Sequence, residues 1–262
     1  MTRPVFLAED LSCVPSSLAV GERATLGGSE GRHAASVRRI GAGEWVDVAD
    51  GRGLRLTCEV VGADKSSLSL VVREVVQEES PRPEIILVQA LAKGGRDEAA
   101  VEICTEIGID RVIPWASQRA IVQWRGPKAE KGRAKWEGVV RAAAKQSRRA
   151  YVPVVEAVTD SRELASWVRA LTDEAGAAFV CHEEATQSLG AALARVQGDA
   201  TDGFLPARVA LIVGPEGGIG PEETAQLVAA GARTVSLGAN VLRSSTAGAV
   251  ALTLIRAAAG AY

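Results

Sequence analysis

Three short segments gather the residue types that do chemistry. Cys181-His-Glu-Glu184 sets a thiol, an imidazole and two carboxylates in a row. Gly214-Pro-Glu-Gly-Gly-Ile-Gly220 places four glycines in seven residues. Leu237-Gly-Ala-Asn-Val-Leu-Arg243 ends on a cation. Glycine admits the left-handed backbone and, lacking a Cβ, lets a ligand touch the main chain. The two glycine-bearing segments therefore read as binding loops. The glycine pattern has no Gly-Lys-Ser/Thr and no Gly-x-Gly-x-x-Gly, so it matches neither common phosphate cradle. Metal chemistry is not expected. The four cysteines (Cys13, Cys58, Cys104, Cys181) form no CxxC, and only His33 and His182 accompany them, so a structural zinc site has no ligand set. Reduced thiols in a cytoplasmic protein are the simpler expectation.

A second kind of chemistry lies in charge. Between Arg119 and Arg149 stand ten basic residues against only Glu130 and Glu137, in a chain whose net charge is −2. Arginines outnumber lysines 24 to 6, and the guanidinium fork suits phosphate better than a point charge does. Such a block predicts a polyanion-binding face, the alternative being a solvated helix face. Trp115, Trp124 and Trp136 lie in or beside it. Aromatics among cations can stack on unpaired bases; each of these tryptophans can equally anchor a helix to the core.

The elements that must position these residues fall into two rhythms. Residues 1–73 alternate apolar and polar side chains, with a hairpin formed by residues 44–50 and 54–61 around Asp50-Gly51-Arg52-Gly53. Residues 68–72 form a further strand, and residues 33–40 a short helix closed by Gly41. This part balances 9 basic with 9 acidic residues and predicts a small barrel. Residues 74–83, polar and with two prolines, read as a linker. From residue 84 to 262 short apolar runs (85–90, 111–115, 177–181, 209–213, 234–237) alternate with helical segments (97–107, 131–147, 221–230, 245–259). Continuous apolar runs suit strands buried on both faces, and the alternation predicts an α/β domain with a parallel sheet. In such a sheet, ligands bind where loops leave the carboxyl ends of strands. That is where all three chemistry-bearing segments fall.

Composition sets the outer bounds. At 262 residues, 47% apolar and 24% charged, the chain can bury a real core, so wholesale disorder is excluded. No apolar run reaches the ~18 residues of a membrane span. The first residues offer only 5–8 as an apolar stretch, so no secretory signal is expected.

The order of motifs is specific. Strand, Gly-Pro-Glu-Gly-Gly, helix, strand, Leu-Gly-x-x-Val-Leu-Arg and a small-residue helix resembles the knotted SPOUT methyltransferases, and within them the RsmE family. The resemblance spans nearly the whole chain. It takes in Leu91-Ala-Lys-Gly94 with Glu98, Thr105-Glu-Ile-Gly108, Gln118-Arg119, Ala144-Lys-Gln-Ser-Arg148 and Val152-Pro153. His33, Arg38, Gly43 and Asp50-Gly51 match the family's PUA-like barrel. The resemblance implies an α/β SPOUT domain with a deep trefoil knot, joined to an N-terminal PUA-like β-barrel that binds RNA. It implies S-adenosyl-L-methionine as cofactor, a homodimer, and methylation of N3 of a uridine in 16S ribosomal RNA of the small subunit. The cofactor is then expected among His182, Glu183, Gly214, Pro215, Glu216, Gly217, Gly218, Leu237, Gly238, Val241 and Leu242. RNA contacts are expected at Arg38, Lys93, Arg119, Arg125, Lys128, Arg133 and Arg148, and the catalytic residue is expected to be Arg243.

This chain departs from the family pattern at two positions. Where the family usually reads Leu-Gly-x-Arg-[Ile/Val]-Leu-Arg-x-Glu-Thr-Ala, Asn240 and Ser245 stand in place of the first Arg and the Glu. One positive and one negative charge are absent together, as expected of a structural ion pair lost jointly. Arg243 remains the charged residue of the motif. Two other activities fit the same motifs: a ribose 2′-O-methyltransferase of the same superfamily, and a ribosome-associated RNA-binding protein with a vestigial cofactor pocket.

Overall fold

The computed structural model describes residues 3–261, which divide into two units. The first holds the described residues up to Ser80 together with Arg141–Val152. Its strands are β1 (Val5–Leu7), β2 (Arg23–Leu26), β3 (Trp45–Ala49), β4 (Leu54–Ala63) and β5 (Leu68–Gln77), in the order β1-β3-β4-β5-β2. Only the β1–β3 pair is parallel. Alternate residues of β4 (Leu56, Cys58, Val60) meet Leu68, Leu70 and Val72 of β5 in one buried cluster, as the two-residue period requires. The β3–β4 hairpin is where the sequence predicts it. Its turn is held by Asp50, whose Oδ1 accepts from the N–H groups of Arg52 (2.7 Å) and Leu54 (3.0 Å).

Two expectations for this unit are corrected. The short helix starts earlier, at α1 (Gly28–Arg32), and runs on through a π-type turn, His33–Val37. Its start is fixed from far upstream: the Asp10 Oδ2 accepts from the Glu30 N–H and the Ser29 hydroxyl, both at 2.9 Å. These bonds hold the Asp10 carboxyl below the usual carboxylate range. The turn leaves through Arg39 at φ +56°, ahead of the expected Gly41. Secondly, β5 takes the first four residues of the expected linker, because Glu74–Gln77 pair with Leu54–Thr57 of β4. The unit also recruits Arg141–Val152 from much later in the chain. Lys145 pairs with Glu30 (2.6 Å), Arg141 pairs with Glu9, and the Tyr151 hydroxyl donates to the Glu78 carbonyl (2.9 Å). One cut at residues 74–83 therefore does not separate the units.

The second unit holds Pro81–Val140 and the chain from Pro153 onward. In chain order it contains β6 (Glu84–Ala90), α2 (Arg96–Ile107), β7 (Arg111–Ala116), α3 (Pro127–Gln146), β8 (Val154–Val155), β9 (Thr159–Asp160), α4 (Ser161–Asp173), β10 (Ala177–Cys181), α5 (Leu189–Asp199), β11 (Arg208–Val213), α6 (Pro221–Ala229), β12 (Arg233–Val235) and α7 (Ser244–Ala258). The last six residues of α3, from Arg141, belong to the first unit. The sheet runs β12-β10-β11-β6-β7-β8, with β9 also on β7, and every pairing is parallel. Its centre is dry on both faces: Ile85, Ile86, Leu87, Val88, Val209, Ala210, Leu211 and Ile212 are all buried.

Two helices here, α4 and α5, are not among those the sequence predicts. The start of α4 does carry a local signal. Asp160 accepts from the N–H groups of Arg162 and Glu163, and Glu163 reaches back to the Asp160 N–H, a capping box worth about 1 kcal/mol. Leu164, Val168 and Leu171 then repeat on one buried face. Among the described residues no helix is long and apolar enough to cross a membrane.

Candidate active site

At the carboxyl ends of β10, β11 and β12 the loops enclose a cavity of about 1000 Å³. The eleven residues expected to hold a cofactor, and Arg243, all line it. The three chemistry-bearing segments, scattered over 60 residues of sequence, thus meet at one edge of the sheet because β10 lies between β11 and β12.

The glycines of this cavity serve different ends. Gly218 (φ +71°) and Gly238 (φ +135°) hold left-handed backbone. At Gly218 the nearest atom to an added Cβ is Arg119 Nη1, 3.9 Å away, so the surrounding space is open. Gly214 has no positive φ. A Cβ there would lie 2.6 Å from Ile219 Cγ1, so this glycine lets the loop fold onto its own isoleucine.

Two glutamates tie the loop to its neighbours. Glu216 Oε1 accepts from Arg96 Nη1 (2.9 Å) and from the Lys93 N–H (3.3 Å). Burial pushes the Glu216 carboxyl up, but hydrogen bonds from its own N–H, from Arg96 and from Lys93 outweigh that and hold it below the usual range. Glu223, in the first turn of α6, is completely buried. Its Oε1 accepts from the Gln118 N–H (2.8 Å) and the Ser161 hydroxyl, and its Oε2 from the Gly220 N–H (3.1 Å). Arg119, next to Gln118, donates from Nη1 to the Gly217 carbonyl (3.2 Å).

On the opposite wall, the His182 N–H donates to the Val235 carbonyl (3.0 Å), and Nδ1 accepts from the Glu184 N–H (3.2 Å). Burial pushes the Cys181 thiol up to about 12, so it stays protonated at neutral pH and is no nucleophile. Arg243 is the N-cap residue of α7, with extended backbone. Its guanidinium has no hydrogen-bond or ion-pair partner among the described residues, unlike Arg96 and Arg119 on the same cavity.

The residues expected to touch RNA fall in both units. Arg119 lines the cavity, and Lys93 adjoins it through its backbone. Arg125 and Lys128 are exposed near the start of α3. Arg133 is paired with Glu137 (2.9 Å), and Lys135 with Glu98 (2.5 Å). Arg38 and Arg148 are exposed residues of the first unit. Of the partners Glu137 and Glu98, only Glu98 comes from outside the block, so of the two it alone offsets a cation that the sequence count leaves open. The tryptophans take the anchoring role. Trp115 and Trp136 are fully buried, and Trp124 packs edge-on against Trp136 with ring centroids 5.1 Å apart. Stacking on bases by Trp115 or Trp136 is thereby excluded.

Arg96 and Glu223 were not among the expected site residues. Arg96 meets Glu216 across 120 positions, and Glu223 meets Gln118 across 105. No local spacing signals either contact. Among the described residues, no group of three or more His, Cys, Asp or Glu side chains could hold a metal ion.

A family model described as an RNA methyltransferase domain matches residues 78–256, and one described as an RNA methyltransferase PUA domain matches residues 26–73. Ribosomal RNA small subunit methyltransferase E of Mycobacterium bovis is 42% identical over 232 residues, 88% of this chain and 85% of that one. Its namesake in Bacillus subtilis is 28% identical, over 87% of each chain. Among solved structures, a ribosomal RNA small subunit methyltransferase E from Neisseria gonorrhoeae, bound to S-adenosyl methionine, superposes with a TM-score of 0.80 at 25% identity over 98% of both chains. A putative methyltransferase from Legionella pneumophila, in complex with the bound cofactor SAM, gives 0.79, also at 25% identity and 98% of both chains.

Proposed function

We propose, from the premise that this chain belongs to the RNA methyltransferase family and within it to ribosomal RNA small subunit methyltransferase E, that it methylates N3 of a uridine in 16S ribosomal RNA with S-adenosyl-L-methionine as donor. One observation carries this reading: three loops converge on one cavity, lined by Gly214–Gly218 and Leu237–Leu242, in which the Arg243 guanidinium is unpartnered among the described residues.

The residues present suit the cofactor. A cavity of about 1000 Å³ lies at the upper end of the range for small-molecule sites. Gly218 and Gly238, where an added Cβ would stand in open space, let an adenine lie against the main chain, and Leu237, Val241 and Leu242 give apolar cover. His182 and Glu183 offer polar contacts on the other wall. When bound, the cofactor supplies a methyl group already activated on a sulfonium. The chain's own task is to orient the uracil and help it lose its N3 proton. Arg243 is the cation for that: a guanidinium near the uracil carbonyls favours the deprotonated base. With Ser245 where the family carries Glu, no carboxylate is assigned as base.

The finer points follow the same reading. The first unit serves as the PUA-like RNA-binding barrel and the second as the methyltransferase domain. The trefoil knot rests on the family resemblance, and the close packing of α7 is compatible with it: a Cβ at Gly248 would lie 3.1 Å from Cys104 Sγ and 3.3 Å from Leu87 Cδ1. A homodimer would cover Ile103 of α2 and Leu254 of α7, which are 40% and 38% exposed. Sedimentation as a stable 27.3 kDa species at micromolar concentration would contradict it. Cytoplasmic location accords with the ribosomal substrate. The deciding experiment incubates the protein with labelled adenosylmethionine and unmodified small ribosomal subunits, then maps the label. Methyl on uracil N3 is expected; label on a ribose 2′-oxygen, or none, overturns the proposal.

A further inference from the structure

Glu223 lies outside the cavity lining, yet its carboxylate gathers three loops behind it. It sits at the third position of α6, where an acidic side chain commonly reaches back to the helix start, and its bond to the Gly220 N–H does that. The other two bonds are not local. Oε1 takes the Gln118 N–H from the segment after β7 and the Ser161 hydroxyl from the start of α4. Ser161 Oγ in turn accepts from the buried Trp115 Nε1 (3.1 Å), which ties the assembly to the core. An acceptor-only group with three donors and no solvent exposure is matched as a carboxylate. A neutral amide in its place turns an NH₂ towards a donor.

The consequence for the cavity is direct. Gly220 ends the Gly214 loop, and Gln118 precedes Arg119, whose guanidinium donates to the Gly217 carbonyl in the middle of that loop. The loop is thus held twice through one carboxylate: at its end through Gly220, and at its centre through Gln118 and Arg119. Glu216 holds the far side through Arg96 and Lys93. We infer that Glu223 is a positioning residue, which sets the backbone of Gly217–Gly220 and the Arg119 side chain for adenosylmethionine without touching it. The inference rests on the proposed function, since it presumes that this loop holds that cofactor.

The test is a double-mutant cycle on the full-length protein, with adenosylmethionine binding followed by calorimetry and turnover on small ribosomal subunits. Glu223→Gln should raise the cofactor Kd and KM by about tenfold while kcat stays within about threefold, the pattern of lost binding rather than lost chemistry. A purely structural role would instead lower the active fraction, so kcat would fall with KM unchanged. Because Glu223 acts through Gln118 and Arg119, Arg119→Ala in the Glu223→Gln background should weaken binding by no more than about twofold beyond the single variant, a non-additive result. Should Glu223→Gln fail to fold, Ser161→Ala removes one donor from the same carboxylate. It should raise Kd by about threefold, with the same non-additivity. Unchanged Kd in a folded variant, or fully multiplicative effects, would overturn the inference. Wild-type protein that binds no adenosylmethionine would instead overturn the functional reading beneath it.

Discussion

The parallel sheet carries a cavity at each end, and the two differ in kind. The one at the amino ends of β6, β7 and β11 has a volume of about 640 Å³ and is rich in charge, with Glu84, Arg111, Glu156, Glu163 and Arg208 around Trp167. Its charged groups already have partners. Arg111 bonds Glu84 (3.0 Å) and Glu156, Thr159 donates to Glu163 (3.2 Å), and Arg208 bonds Glu174. At the carboxyl ends, Glu216 and Glu223 are spent on holding loops, while the Arg243 guanidinium lines the cavity uncommitted. A hollow with charged walls is therefore not enough to mark a site. What marks it is hydrogen-bonding and electrostatic capacity that the fold leaves unused, at the edge where helices and loops leave a parallel sheet.

Four measurements would break or sharpen that contrast. The largest effect is expected from Arg243→Ala. Turnover should fall about a hundredfold or more, the scale of one lost stabilising donor, with adenosylmethionine affinity unchanged in calorimetry. Without the cation, deprotonation of the uracil needs a higher pH, so turnover should recover in part as pH rises. Near-normal turnover in a folded, cofactor-binding variant would remove Arg243 from the chemistry.

Next is Gly218→Val. Left-handed backbone costs a residue with a Cβ about 1–2 kcal/mol, and the branched side chain fills space beside Arg119. Cofactor affinity should drop by about tenfold or more; wild-type affinity would move the cofactor away from this loop. A third measurement concerns RNA. Arg125, Lys128 and Lys131 have no side-chain partner among the described residues, whereas Arg133 and Lys135 face Glu137 and Glu98. Replacing the first three by Gln should lower the log–log salt slope of RNA binding by about 2, each phosphate contact counting about 0.7. Replacing Arg133 and Lys135 should lower it by clearly less, and equal slopes for the two variants would mean that the pairing does not matter. The smallest effect belongs to the amino end. Arg111→Gln should cost about 1 kcal/mol of stability or less, as partly exposed ion pairs do, and leave turnover within about twofold. A tenfold loss of turnover would erase the distinction between the two cavities.

The sequence made the sheet legible because its strands are buried on both faces. Runs such as Ile85–Val88 and Val209–Val213 have no polar alternation to mislead. The positions of the cavity residues were legible for a related reason, since glycine loops after such strands have one edge to occupy. What escaped depends on distance along the chain. The start of α1 is set by Asp10, some 20 residues upstream, so residues 33–40 alone mislocate it. The neutralisation of Lys135 and Lys145 comes from Glu98 and Glu30, which no reading of the basic block contains. The helix α4 differs from these, since its Asp160–Glu163 capping box is a signal local to its own start.

Those long reaches also set a timetable. The bonds that shape the cavity join Lys93 to Glu216 and Gln118 to Glu223, 123 and 105 positions apart, and Arg243 and Ser244 complete its rim. A chain emerging from the ribosome can fold its early strands as they appear, but its cavity is incomplete until Arg243 and Ser244 have been made. Closing contacts of such separation is slow. A chain interrupted before Arg243 therefore has no partial activity to offer, because the cavity lacks its rim.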